Sequence, residues 1–109
     1  MIPASILELF APIDAYLRDP MVQRVLVDGP DRVFVDTGDG PRRVPSSYPL
    51  EALKKSLRGL ARRAGKSFDQ DRPCLEAMLK DGTRFIALRD PVVTVGPVLG
   101  IARPAPHTT

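Results

Sequence analysis

Apolar and polar residues change places with three distinct rhythms along this chain. In VQRVLVDGPDRVFVD, Val25 and Val27 alternate with polar or exposed positions, and Val33 and Val35 repeat the alternation after Asp28-Gly29-Pro30-Asp31. Period two on both sides of a turn cluster predicts a β-hairpin. A second cluster, Thr37-Gly38-Asp39-Gly40, leads to a short third strand near Arg42 to Val44. Upstream, Ile6, Leu9, Phe10, Ile13 and Leu17 recur at helical spacing, which predicts two short helices with Pro12 opening the second and Pro20 ending it.

The clearest helix spans Pro49 to Ala64, where Leu50, Leu53, Leu57, Leu60 and Ala64 form one apolar stripe. Ser47 is the expected cap at its start and Gly65 the expected stop at its end. Beyond a loop, Cys74 to Lys80 and Arg84 to Arg89 read as a hairpin across Asp81-Gly82-Thr83, and Val98 to Ala102 as a last strand. Helices, a meander, one helix and further strands make an α+β fold, a long amphipathic helix laid on an antiparallel sheet of five to six strands.

Composition narrows the setting. A length of 109 residues suits one domain with a core of its own. The single Cys74 forms no internal disulfide, no run is long enough for a membrane span, and the N-terminus lacks a basic leader, so a cytoplasmic location is expected. Lys and Arg total 16 against 13 acids. Much of that excess lies in Lys54, Lys55, Arg58, Arg62, Arg63 and Lys66, a candidate docking face for an acidic partner, nucleic acid or anionic lipid. The plainer expectation is the wet side of an amphipathic helix, its basic stems covering apolar surface. Scarce aromatics and the lack of a DNA-reading motif argue against nucleic acid. Cys74 is expected in the core. His107 sits in the tail, and one His with one Cys does not make a zinc site. Asp69, Asp71 and Glu76 read as loop solvation rather than an acid/base pair.

Several stretches in order, API-DAYLRDPMVQRVLVDGPDRVFVD, the basic helix, RP-CLEAMLKDGTRFIAL and GPVLGIARP, resemble the N-terminal domain of bacterial type II and type IV secretion ATPases, most of all the Tad/Flp pilus branch. The resemblance covers nearly the whole chain; one such domain is expected over 1–103, and the Pro-containing end, 104–109, is expected to be a flexible tail. In that family the domain is joined to a RecA-like motor in a six-membered ring and supplies arginines to the nucleotide phosphates. No G-x-x-x-x-G-K-[ST] loop occurs here. Without it a chain has nothing to cradle phosphates or place Mg²⁺, so neither ATP hydrolysis nor a cofactor is expected.

Departures from the family wording carry information. Glu76-Ala77-Met78 stands where the family reads Asp-Ala-Arg, Arg84-Phe85-Ile86-Ala87 where it reads Arg-Val-Asn-Ala, and Leu99-Gly100-Ile101-Ala102 where it reads Leu-Thr-Ile-Arg. Arg84 is the matching arginine that remains, and Arg103 lies one place beyond the other. These two are the candidate phosphate- or partner-facing residues. A one-residue offset on a strand reverses the face, so Arg103 is not equivalent to an arginine at 102. The plainer expectation for Arg84 is a solvated side chain at the start of a strand.

The leading expectation is therefore a non-catalytic interaction module that docks on a secretion or pilus ATPase or another component of that system. On it, Met78, Ile86 and Ala102 either enlarge a docking face or turn into the core. One alternative is the excised N-terminal domain of a full ATPase, helping to close its nucleotide site and assemble its ring, although the tail PAPHTT does not read like the start of a next domain. Another is a small-ligand sensor with a pocket between sheet and helices.

Overall fold

Six strands lie in the order β3-β2-β1-β6-β5-β4, every neighbouring pair antiparallel. They are β1 (Arg24–Asp28), β2 (Val33–Asp36), β3 (Pro41–Val44), β4 (Cys74–Met78), β5 (Arg84–Leu88) and β6 (Val98–Ala102). The computed structural model describes residues 2–94 and 96–104. The last strand, β6, enters the middle of the sheet between β1 and β5 and joins the two meanders. The chain is thus α+β, as the residue pattern predicts.

All the helices cover one face of this sheet. Val25 and Val27, Val33 and Val35, Leu75, Phe85 and Ala87, and Leu99 and Ile101 point to that face and are buried. Against them pack Ile6 and Leu7 of α1 (Ala4–Leu7), Phe10 and Ile13 of the 3₁₀ segment Glu8–Ile13, and Leu17 of α2 (Asp14–Arg18). The Phe10 ring stacks on that of Phe85 with centroids 5.5 Å apart and planes inclined by 20°. The N-terminal pattern thus resolves into two helices with a 3₁₀ link, kinked at Phe10 (φ −119°, ψ 41°), and Pro12 lies inside the link rather than opening a helix.

The long helix α3 (Leu50–Ala64) buries Leu53, Ser56, Leu57, Leu60 and Ala61, while the flanking Leu50 and Ala64 are only half-buried. It ends as expected. Gly65 takes the left-handed conformation (φ 65°), and the N–H of Lys66 donates to the Ala61 carbonyl at 3.0 Å, so freed carbonyls at the helix end find donors.

Its beginning differs from expectation. Pro49 occupies the cap position without a side-chain bond, and Ser47 instead donates to an Asp31 carboxylate oxygen at 3.0 Å. That same oxygen accepts the Tyr48 N–H at 2.6 Å, and the Tyr48 carbonyl accepts the Asp31 N–H at 3.0 Å. Asp31, at φ 60°, thereby ties the β1–β2 turn to the entry of α3. Tyr48 is fully buried, with its hydroxyl 2.5 Å from Ser56 Oγ. Ser56 donates onward to the Ala52 carbonyl at 2.9 Å, so Tyr48 is the donor between them.

Candidate functional site

Period-two alternation that buries one side of a strand delivers its other side to the opposite face. Among the described residues no helix covers that second face. Its residues line up across the strands by register. Phe34, Leu26, Gly100, Ile86 and Glu76 form one row, and Asp36, Arg24, Ala102, Arg84 and Met78 form the next. The small residues at 100 and 102 leave a shallow depression of about 390 Å³, lined by Leu26, Phe34, Pro41 and Ile86, with Arg24 and Arg84 beside it. Leu26 is 38% exposed, Ile86 40% and Met78 65%, which is unusual for large apolar side chains lying together in adjoining rows.

Arg24 and Arg84 stand one strand to either side of Ala102, which places their backbones about 10 Å apart. Both are exposed, and neither has an ion-pair or hydrogen-bond partner for its guanidinium among the described residues. Asp36 faces Arg24 in register, yet its carboxylate turns to the β2–β3 loop, accepting the Gly38 N–H at 2.7 Å and the Gly40 N–H at 3.2 Å. Two cations without an ion-pair or hydrogen-bond partner among the described residues thus border an apolar floor that Asp36 also lines. Arg32 lies over the Phe34 ring at 5.9 Å and is paired with Asp28 at 3.6 Å.

The turn before Arg84 is held by hydrogen bonds of its own. Asp81 accepts the Thr83 N–H at 2.8 Å, Gly82 adopts φ 93°, and the Leu79 N–H closes the hairpin on the Thr83 carbonyl at 2.9 Å. Partial desolvation raises the Asp81 carboxyl, but the hydrogen bonding it receives, the Thr83 N–H foremost, outweighs this and holds it below the ordinary value.

Arg103 does not join Arg84. It lies on the helix side of the layer, where its guanidinium donates to the Leu17 carbonyl, and its N–H donates to the Gln23 carbonyl at 2.9 Å. It lines a separate cleft of about 660 Å³ with Leu7, Leu17, Val22 and Thr83. Met78, Ile86 and Ala102, by contrast, all fall on the uncovered face with Arg84. Arg24 belongs to this site and was missed. Its signal was the same alternation that places Val25 and Val27 inside.

Cys74 is exposed, not in the core: it stands on the outward register of the edge strand β4, while its neighbour Leu75 turns inward. On α3, Lys54, Lys55, Arg58, Arg62 and Arg63 are all exposed, away from the sheet. Lys66 donates to the Glu76 carbonyl at 2.6 Å, occupying an edge acceptor of β4. Asp69 accepts the N–H groups of Asp71 and Arg72, at 3.0 and 2.9 Å, as a loop-forming residue does. His107 and most of the expected tail lie outside the described residues, whereas Pro104 packs beside Gly82. Among the described residues no helix is long and apolar enough to cross a membrane.

No family model and no curated protein matches the chain. Among solved structures it is similar to the VirB11 ATPase from the Brucella suis type IV secretion system, solved in complex with sulphate, with a TM-score of 0.85 and 24% identity. The similarity covers 97% of this chain and 33% of that one, so the chain spans about a third of its neighbour's length. Its fold is that of the N-terminal domain of a type IV secretion ATPase.

Proposed function

We propose that this chain is a non-catalytic interaction module that docks through the uncovered face of its sheet on a secretion or pilus ATPase or another component of that system. Its occupant is an acidic-edged apolar segment of that partner. One observation carries the reading: Leu26, Phe34 and Ile86 form an apolar floor bordered by Arg24 and Arg84, two guanidinium groups with no ion-pair or hydrogen-bond partner among the described residues. Apolar groups supply the association energy, and the paired cations select carboxylates and fix register. The Tad/Flp branch is the setting favoured by the sequence wording.

Co-purification from the native cell tests the proposal. A secretion or pilus component is expected with the chain; recovery of none under gentle conditions counts against it.

The same two arginines favour a second reading, in which the domain helps to close the nucleotide site of a motor. It predicts that ATP alone raises the melting temperature in a dose-dependent way and that Arg84→Ala abolishes the rise. The docking reading predicts no such stabilisation.

A further inference from the structure

The two edges of the sheet differ in what their backbones offer. In an antiparallel ladder alternate residues turn their N–H and C=O groups to the neighbouring strand, and the rest turn them away. On β4 the phase is set at both ends: the Arg89 N–H donates to the Pro73 carbonyl at 3.0 Å and the Leu79 N–H to the Thr83 carbonyl at 2.9 Å. With the register running from Cys74↔Leu88 to Met78↔Arg84, Leu75 and Ala77 bond to β5, and Cys74, Glu76 and Met78 turn their backbone groups outward. All three residues are exposed. Of these outward groups, the Glu76 carbonyl alone has a partner among the described residues, the Lys66 ammonium at 2.6 Å. The opposite edge, β3, is guarded. The same alternation turns Pro41 and Arg43 outward there, so proline removes one of the two donors, and Arg42 and Arg43 set charge along the rest.

We propose that the free edge of β4 takes an extended segment of a partner protein as a further strand of the sheet, with a cationic residue of that segment opposite Glu76. Unpaired strand groups specify their ligand by themselves: another extended backbone. The side chains at 74, 76 and 78 lie on the uncovered face, so an added strand lengthens that face and sets alternate side chains of its own beside Cys74, Glu76 and Met78. Glu76 is the one acid of β4 and forms no ion pair among the described residues. The cations beside it are Lys66, bonded to its carbonyl rather than its carboxylate, and Arg84, across from Met78. A cation directly opposite Glu76 gains a cross-strand pair, and an apolar residue opposite the exposed Met78 covers it. A second copy of this chain is the poorer occupant. Antiparallel pairing of β4 with itself through all three outward residues sets Glu76 against Glu76, like charges facing each other. Lys66 is then a guard on the edge, its ammonium leaving the Glu76 carbonyl when the strand enters. This site is separate from the docking proposed above, and neither requires the other.

Titration of the isotope-labelled full chain with the peptide Val-Thr-Lys-Thr-Val, acetylated and amidated at its ends, tests this by NMR without any secretion component. Whichever way it runs, the bound peptide sets Lys opposite Glu76 and Val opposite Cys74 and Met78. In the free chain the amides of Cys74, Glu76 and Met78 are expected to exchange faster than those of Leu75 and Ala77, and to slow at least about fivefold with peptide. The same peptide N-methylated at its Lys and two Val residues keeps its side chains but loses its donors, and is expected to bind at least about tenfold more weakly. Lys66→Ala is expected to tighten binding about fivefold by freeing the Glu76 carbonyl. Wild type is expected to prefer this peptide to Val-Thr-Glu-Thr-Val by about fivefold, and Glu76→Lys to reverse the preference. Should Glu76→Lys fold poorly, Glu76→Gln is expected to abolish the preference. Three results would overturn the proposal: no slowing of those three amides at millimolar peptide, equal binding of the N-methylated peptide, or a dimer of the free chain in which the three amides are already protected.

Discussion

Arg24 and Arg84 stand in one row of the sheet, one strand to either side of Ala102, and both point to the face that no helix covers. Their guanidinium groups have no partner within the described part of the fold. Removing either therefore removes no native ion pair or side-chain hydrogen bond. Arg24→Ala and Arg84→Ala are expected to change folding stability by less than about 0.5 kcal/mol in urea titrations. Each is expected to weaken the docked complex by about tenfold or more in calorimetry, the scale of a charge-assisted hydrogen bond lost from an interface.

Tyr48 gives the fold an alkaline limit. Burial pushes its hydroxyl up to about 12, against a smaller opposing effect of the hydrogen bond with Ser56. The unfolded chain loses this proton near pH 10, two units before the folded one does, so the contribution is complete below that pH and fades as pH rises towards 12. A loss of roughly 2–3 kcal/mol across that window is expected. Tyr48→Phe is expected to cost about 1 kcal/mol at neutral pH for the lost hydrogen bond, and to flatten the alkaline decline relative to wild type. Denaturant titrations of both proteins at pH 8, 10 and about 11.5 measure it.

Asp31 separates two contributions that sit in one residue. It accepts from Tyr48 N–H and Ser47, and its backbone is left-handed at φ 60°. Asp31→Ala loses the acceptor and strains the backbone, an expected cost of about 2–4 kcal/mol in urea titrations. Asp31→Gly loses the acceptor alone, and is expected to be the more stable of the two variants by about 1 kcal/mol.

Gly65 stops α3 at φ 65°, where a Cβ would meet open space but the backbone still disfavours one. Gly65→Ala is expected to cost about 1 kcal/mol, read as a shift in the urea midpoint without a change in slope.

What the residues disclosed, and what they withheld, follows from the range of the forces involved. Alternation at Val25, Val27, Val33 and Val35 is local, and it sufficed to place the strands and their inward faces. The order of strands was not local: nothing around Val98 to Ala102 tells it to enter the middle of the sheet, since its partners lie more than 60 residues away in β1 and about a dozen in β5. Ser47 looked like a cap because cap chemistry is short-range, yet Asp31, distant in sequence, claimed its hydroxyl. Cys74 was misplaced because burial statistics for cysteine ignore which face of a strand it occupies; its register beside the inward Leu75 was the better guide. The same register rule already told against Arg103 as a substitute for an arginine at 102, yet Arg103 stayed grouped with Arg84; applied to β1, the rule would have found Arg24.

The uncovered face is the centre of this account, and a paired comparison addresses it most directly. Leu26→Glu/Ile86→Glu alters that face, while Arg58→Glu/Arg62→Glu alters the opposite side of the molecule. Affinity for the secretion or pilus component recovered with the wild-type chain should fall at least about a hundredfold in the first variant and stay within about threefold in the second, with both melting like wild type. Equal affinity across wild type and the first variant, or a loss confined to the second, would contradict docking through the sheet.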